Sequence, residues 1–287
     1  MTNLPRNILE QRLVKPPGNL LDIRTDLRHF ALITYALPKR RLEPYIPADR
    51  FEIVEFDIAG QPMALLSAVP FWDADFRYTR LAPFLKFQFG QTNHRVYVID
   101  RQTGQHVAWF FGTTLGSPIV YGARWLWRIP WHLARYQVDC RYNEQRGRYE
   151  QYEYRVQSDW CAAAISLADT GEPVTAVEGF ATLDDWKLIL THPVEGFFYR
   201  LDGRLGTYSV WHEEIPLTVG QPLQLHFSLY ERLGLLSPEE MQRPHSIFIC
   251  PKVTFEVYLP PRKLSAISYQ PSAVSRQPSG DVETDNE

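Results

Sequence analysis

The chain contains few of the residues from which disulfide and metal sites are built. Of its 287 residues only three are cysteine. Cys140, Cys161 and Cys250 lie far apart and form no Cys-x-x-Cys pair, which argues against a disulfide framework and a cysteine-based metal site. The eight histidines include no His-x-x-x-His pair, so we expect no bound metal and no other cofactor. This cysteine usage is typical of a reducing cytoplasm.

The chain also lacks a strong net charge, a secretory signal and a membrane span. Its formal net charge of −3 indicates no basic surface for nucleic acid. The first residues do not pass from a basic segment into an apolar one, as a signal peptide does. The 17 uncharged residues 107–123 include three glycines and a proline, whereas a membrane span needs ~20 mainly apolar residues. We therefore expect a cytoplasmic protein without nucleic-acid or membrane partners.

Aromatic and other hydrophobic residues are plentiful and are arranged as short segments. Aromatic residues make up 14% of the chain and hydrophobic residues 45%, which suits strands that bury wide side chains. Turn residues separate these segments at intervals of roughly 8 to 12 residues, the pattern of an antiparallel sheet that curls or closes. The sequence predicts one mainly β domain over residues 25–263, an N-terminal arm over residues 1–24 and a polar, disordered tail over residues 264–287.

The central stretch predicts a strand followed by a helix. Residues 107–111 have the content of a strand buried on both faces, which residues 112–114 are expected to end. Ser117 and Pro118 suit the start of a helix, and Pro130 stops it near Arg128. The charged stretch 72–80 is interpreted as a loop, and residues 183–190 as a helix or a strand.

Arg124 lies within this predicted helix, whose other residues are apolar on nearly every side. Such a helix is expected to be buried. An unpaired charge there would cost several kcal/mol, so the Arg124 guanidinium should reach either a protein carboxylate or an anionic ligand. The sequence alone does not decide between these two partners.

Segments spread over residues 25–262 resemble those of a known family. In chain order they are residues 29–38, 93–98, 110–111, 121–124, 129–132, 208–217 and 250–253. By their order and spacing they resemble the YqjF-like proteins, a bacterial family of unknown function in the acetoacetate decarboxylase-like superfamily. The resemblance implies a cone-shaped antiparallel β-barrel with a ligand cavity inside, with a few short helices.

The resemblance also implies a catalytic lysine, whose presence can be checked in the sequence. The decarboxylases of that superfamily use a lysine in an apolar site to form an imine with a β-keto acid. The corresponding position falls near Ala123 or Arg124, and neither residue can form an imine. Of the six lysines, 15, 39 and 263 lie in expected surface segments. Lys86 is expected to be exposed, and Lys252 is the one lysine considered for the interior.

A set of polar residues in the resembling segments is expected to line the cavity. They are Asn93, Arg95, Arg124, His132, Tyr208 and His212. The two arginines can hold a carboxylate through paired N–H donors, and His212 is the candidate for proton exchange. Each has an alternative interpretation. Asn93 and Arg95 would face outward if they lie on the outer face of the barrel, His132 could only end a helix, and His212 could be a structural histidine of the core or the surface.

Three hypotheses follow for function. The first is a cytoplasmic barrel that binds a small anionic, carboxylate-bearing molecule without Schiff-base chemistry. The second is a lyase or hydrolase that acts on a small carboxylate or keto acid. The third is a non-catalytic scaffold that contacts other proteins. A cavity that contains an arginine and an ionisable partner would favour the first two.

Removing residues 265–287 is expected to leave the thermal midpoint almost unchanged. The segment is too polar to bury enough apolar surface to offset the entropy lost when it orders. Calorimetry of the full and shortened chains would measure this, and a decrease of more than ~4 °C would show that the tail is docked.

Overall fold

The computed structural model describes residues 6–193 and 195–263, so the predicted tail lies outside the described residues. Within the described residues the chain forms fourteen strands. In the first half they are β1 (Ile23–Leu37), β2 (Phe51–Ile53), β3 (Glu55–Ile58), β4 (Gln61–Tyr78), β5 (Phe87–Asp100), β6 (Gln105–Leu115) and β7 (Trp131–Leu133). In the second half they are β8 (Arg135–Asn143), β9 (Arg148–Gln157), β10 (Ala163–Pro173), β11 (Glu195–Tyr199), β12 (Leu205–His212), β13 (Thr218–Phe227) and β14 (Ser246–Lys263).

Helices are short in comparison. They are α1 (Arg6–Leu13), α2 (Ile119–Trp127), α3 (Leu183–Trp186), α4 (Ser228–Arg232) and α5 (Pro238–Met241). Two 3-10 turns (Lys39–Arg41 and Glu43–Tyr45) follow β1, and a π-helical turn (Lys187–Thr191) continues α3. No helix in residues 6–193 and 195–263 is long and apolar enough to span a membrane. The mainly β fold class is confirmed.

Seven strands close into a ring. Their order is β1-β4-β5-β6-β11-β12-β14, and β14 pairs with β1 to complete the circuit. Within this ring β6 and β11 are parallel, and the other pairs are antiparallel. The sheet continues from β14 through β13, β10, β9 and β8. Closure gives the ring strands partners on both sides, which removes the exposed edges of an open sheet.

The ring strands bury both faces because their alternate side chains enter two different apolar clusters. In β1, Ala31, Ile33 and Tyr35 pack with Tyr152 and other side chains of the outer sheet, which is the part of the sheet formed by β8, β9, β10 and β13. Phe30 and Leu32, which point to the opposite face, pack with residues of β4 and β14 in a second cluster. A strand that is buried on both faces has a continuous hydrophobic sequence instead of an alternating one. Such runs were predicted as buried strands.

Two predicted interruptions are wrong, since the strands continue through them. The stretch 72–80 was interpreted as a loop, but β4 runs through it to Tyr78. Asp75 has a φ of 62°, and the pairing with β5 shifts between Asp73 and Phe76, so an irregularity replaces a loop. Gly112 was expected to end β6. It stays within the strand, where a Cβ would lie 2.7 Å from the Trp160 ring.

Helix α2 has the predicted position but not the predicted burial. It ends where expected, with Arg128 in the left-handed conformation that closes helices. Val120 and Ala123 are buried, whereas Tyr121, Trp125 and Leu126 are 61%, 74% and 56% exposed. The helix therefore packs on the barrel along one narrow face and presents aromatic side chains on the other.

Candidate functional site

A cavity lies inside the ring, and all seven ring strands contribute to its wall. Apolar side chains such as Phe30, Phe71, Phe110 and Phe255 form most of this wall. Its volume of about 90 Å³ corresponds to roughly six to nine water-sized groups at ~10–15 Å³ each. The cavity is therefore of a size for a small organic molecule.

A few polar residues interrupt the apolar wall. They are Thr25, Asp73, Gln91, Asn93, Arg95, Thr191 and Tyr208. Asn93, Arg95 and Tyr208 belong to the set predicted from the sequence. Asn93 and Arg95 share a face because side chains alternate along a strand, and that face is the interior one.

Arg95 is the cation of the cavity wall. Its Nη2 donates to the Leu190 carbonyl oxygen at 2.7 Å, and its Nε donates to the Tyr97 hydroxyl at 3.3 Å. Among the described residues, no carboxylate lies within ion-pair distance of Arg95. A guanidinium has five N–H donors, so this one retains donors for an anion.

The Asn93 amide is oriented by two neighbours. Its Oδ1 accepts from Gln91 Nε2 at 3.0 Å and from Thr113 Oγ1 at 2.8 Å. These bonds occupy the oxygen and leave the amide nitrogen as the group that can donate to a ligand. Asn93 therefore adds a neutral donor to the wall that contains Arg95.

Tyr208 adds an aromatic surface with a neutral hydroxyl. Its ring lies 5.7 Å from the ring of Phe110, centroid to centroid, with the planes 29° apart. Burial raises the pKa of the Tyr208 hydroxyl, and the nearby charge of Arg95 opposes this shift only in part. At neutral pH the hydroxyl is protonated and can donate a hydrogen bond.

Asp73 brings an acidic group into the same cavity. Its Oδ1 accepts from Thr25 Oγ1 at 2.9 Å. Its Oδ2 is buried and has no hydrogen-bond partner among the described residues. The side chain is 2% exposed, and this burial raises the pKa of Asp73 to about 7, against a smaller lowering by the Thr25 bond. The carboxyl group therefore titrates near neutral pH and not in the acid range of an exposed aspartate.

Asp73 was not among the predicted site residues, because the charged stretch 72–80 was interpreted as a loop. A usable signal was present in β4. Val69, Phe71 and Asp73 occupy alternate positions, so an acid continues the face of two interior apolar residues. A strand that carries charged residues was not distinguished from a solvated loop.

Arg124 and His132 are placed near the barrel but do not line the cavity. Arg124 Nη1 donates to the backbone carbonyl of Trp131 at 2.9 Å, a partner that neither sequence alternative considered. The His132 ring stacks on Trp160 with centroids 4.2 Å apart. Burial lowers the pKa of His132 to about 3, and the nearby arginines contribute to this shift. Binding roles for these two residues stay predictions.

His212 is buried beside the cavity, with both ring nitrogens directed at backbone oxygens. Its Nε2 lies 2.7 Å from the Thr191 carbonyl and its Nδ1 lies 2.7 Å from the Glu213 carbonyl. Burial lowers the pKa of His212 to about 4, although these two contacts oppose the shift. His212 is not among the residues of the cavity wall. Proton exchange with a ligand would require it to break one of these contacts.

The lysines are directed away from the cavity wherever the structure describes their side chains. Each of the five pairs with a carboxylate, in the pairs Lys15–Glu256, Lys39–Glu55, Lys86–Asp75, Lys187–Glu214 and Lys252–Asp26. None of these five is part of the cavity wall. Lys252, which the sequence considered for the interior, is 54% exposed in its side chain.

Solved structures share this fold at low sequence identity. The enduracididine biosynthesis enzyme MppR in complex with pyruvate is 13% identical, with a TM-score of 0.53 over 88% of this chain and 92% of that chain. Acetoacetate decarboxylase from Legionella pneumophila is 15% identical, with a TM-score of 0.51 over 92% and 98%. An acetoacetate decarboxylase-like enzyme from Sphingomonas wittichii RW1 is 9% identical, with a TM-score of 0.55 over 88% and 98%. The chain has the acetoacetate decarboxylase-like fold.

The sequence itself matches one family. No curated protein matches the chain. The model of the DUF2071 family, described as uncharacterized conserved protein (COG2071), matches residues 24–254. The matched region includes all the polar residues of the cavity wall and most of the barrel. The chain therefore belongs to the DUF2071 family, the YqjF-like proteins that its sequence resembles.

Proposed function

We propose that the chain binds a small carboxylate-bearing molecule in the barrel cavity, with Arg95 as the group that holds the carboxylate. The observation that carries this proposal is an arginine in an otherwise mainly apolar wall, beside which residues 6–193 and 195–263 place no carboxylate. A cation in such a wall is favoured when an anion neutralises it. Asn93 and Tyr208 supply further donors in the same wall.

The size of the cavity and the related solved structures support the same class of ligand. About 90 Å³ suits a molecule of a few carbon atoms. One enzyme with this fold, MppR, was solved with pyruvate bound. Its identity to this chain is too low for that ligand to be transferred as such. A short carboxylate is the ligand class that fits both the volume and the charge of this cavity.

A calorimetric titration with pentanoate and with pentanamide tests the proposal. The two probes have the same number of non-hydrogen atoms, and only pentanoate carries a charge. We expect pentanoate to bind at least tenfold more tightly, since a hydrogen bond to a charged group contributes about 1.5–3 kcal/mol. Equal binding of the two probes, or binding of neither, would contradict the proposal. Native mass spectrometry of the purified protein would then show whether a natural ligand copurifies.

We further propose that this binding proceeds without a Schiff base. An imine requires a lysine that is desolvated and uncharged, and the five described lysine side chains are ion-paired outside the cavity. Incubation with acetoacetate and borohydride is expected to give no covalent adduct by intact-mass spectrometry. A stoichiometric adduct on Lys252 or Lys86 would instead support the lyase hypothesis in its decarboxylase or aldolase form.

A further inference from the structure

Asp73 is the one acidic side chain in the described cavity wall, and the proposed carboxylate site does not use it. We propose that Asp73, in its protonated form, donates a hydrogen bond to an oxygen of the ligand and so selects carboxylates that carry a carbonyl or hydroxyl group. This inference rests on the proposed function. It assigns to the ligand a second polar group besides the carboxylate.

The position of Asp73 sets it apart from Arg95 along the cavity. On the paired strands β4 and β5, Arg95 is opposite Ser67, and Asp73 lies six residues further along β4. At ~3.3 Å per residue, the two backbone positions are roughly 20 Å apart. Both side chains extend into the cavity, and Arg95 is the longer one. Because both residues belong to the wall of the same cavity, a ligand that contacts both groups must extend along it.

The hydrogen bonding of Asp73 leaves one oxygen for a ligand. Thr25 occupies Oδ1, whereas Oδ2 is buried and has no hydrogen-bond partner in the part of the chain that the structure describes. A buried polar atom without a hydrogen bond is costly, so such atoms commonly have a partner that the protein alone does not supply. A protonated Oδ2 would donate to a carbonyl or hydroxyl oxygen, which an apolar chain end cannot accept.

The surroundings of Asp73 favour the protonated form and leave it as the group that titrates near neutral pH. Thr25 on β1 and Gln91 on β5 are neutral. Tyr136 and Tyr154, from the outer sheet, are neutral because burial raises their pKa. Burial likewise holds the pKa of Asp73 near 7.

The charged residues of the neighbouring strands face away from the cavity or are paired. On β1, Arg24 is exposed, and Asp26 is paired with Lys252. On β4 itself, Asp75 lies between Arg77 and Lys86. None of these six residues belongs to the cavity wall. A change in ligand selection near pH 7 would therefore report on Asp73.

Two probes of equal chain length test this inference, pentanoate and 4-oxopentanoate. Both carry the carboxylate that Arg95 is proposed to hold, and only the second has a carbonyl oxygen near its far end. At pH 6 we expect 4-oxopentanoate to bind about tenfold more tightly, the ratio of a hydrogen bond worth ~1.4 kcal/mol. At pH 8.5 Asp73 has lost its proton, and we expect the ratio to fall close to one. Comparing the ratio of the two affinities cancels any effect of pH that is common to both probes.

Two substitutions separate Asp73 from other titrating groups. Asp73→Asn keeps an N–H donor that does not titrate, so the preference should persist at pH 6 and at pH 8.5. Asp73→Leu removes the donor, so the preference should be lost at both pH values. Circular dichroism establishes that each variant is folded before it is titrated, and the Asn variant tests the inference should the Leu variant fail to fold.

The outcomes also separate this inference from the proposed function. If both probes bind equally to the parent at pH 6 and both depend on Arg95, the role of Asp73 is wrong and the carboxylate site stands. If the preference changes with pH in Asp73→Asn as it does in the parent, another group titrates and the role of Asp73 is again wrong. If neither probe binds to the parent protein, both proposals are contradicted.

Discussion

Replacing Arg95 with glutamine is expected to weaken pentanoate binding roughly 10- to 150-fold, which corresponds to about 1.5–3 kcal/mol. Glutamine retains N–H donors and much of the chain length but loses the positive charge and the guanidinium fork. The fold should survive, because Arg95 is only partly buried and bonds to one backbone oxygen and one hydroxyl. Calorimetry of parent and variant at pH 6 measures the difference.

Arg124 provides the matched control for this experiment. It is also a partly buried arginine bonded to a backbone oxygen, but it lies outside the cavity wall. Arg124→Gln is expected to bind pentanoate within about twofold of the parent protein. If Arg124→Gln weakens binding and Arg95→Gln does not, the role that the sequence predicted for Arg124 is correct and the site proposed around Arg95 is wrong.

Replacing Asp73 with asparagine is expected to stabilise the folded protein at high pH. The ordinary pKa of an aspartate is 3.8, and burial raises that of Asp73 to about 7. The folded state therefore holds a proton that the unfolded state releases. The stability that this proton provides is complete below pH 3.8 and is lost as the pH rises to 7, by about 4 kcal/mol in total.

Asparagine does not titrate, so the variant does not suffer this loss. The difference in unfolding free energy between variant and parent should be roughly 2 to 3 kcal/mol larger at pH 8 than at pH 5. Urea denaturation at the two pH values measures it, and histidine titrations, common to both proteins, cancel. The control is Asp139→Asn, since Asp139 is exposed and its variant should follow the parent at both pH values. A difference that is the same at pH 5 and pH 8 would mean that Asp73 does not titrate in this range.

The strands and the fold class could be predicted because the side chains on both faces of the ring strands pack against apolar residues. Such a strand reads as a hydrophobic run, as at Phe30–Tyr35, whatever its partners are. The parallel pairing of β6 with β11 could not be predicted in this way, since it joins segments far apart in the chain. The sequence also did not show that β4 continues through Asp75. The ion pairs of Asp75 with Arg77 and Lys86, which allow charged residues within this strand, are visible only in the structure.

The burial of α2 was predicted wrongly for a different reason. An apolar composition indicates burial only if another element covers the helix, and composition does not show whether one does. In the described structure the outer face of α2, with Trp125 74% exposed, has no such cover. Arg124 was expected to need an anionic partner only because the helix was expected to be buried. Once the helix lies at the surface, a single bond to the Trp131 carbonyl suffices for the guanidinium.

The candidate site could be predicted in part. Asn93 and Arg95 were placed on one strand face by alternation alone, and the structure puts that face on the cavity. Asp73 was missed because its charged stretch was interpreted as a loop, although the alternation with Val69 and Phe71 pointed to the interior; its unpaired oxygen is visible only in the structure. His212 illustrates the reverse case. Its residue type suggested proton exchange, while its two backbone contacts restrain it.

A crystal structure of the protein with 4-oxopentanoate tests the central claim most directly. The account predicts the ligand inside the barrel, with its carboxylate oxygens about 2.7–3.2 Å from the Arg95 guanidinium. The chain of the ligand would then extend along the wall that contains Phe71 and Phe110. A ligand that binds on the outer surface, or one that is attached covalently to a lysine, would contradict the account.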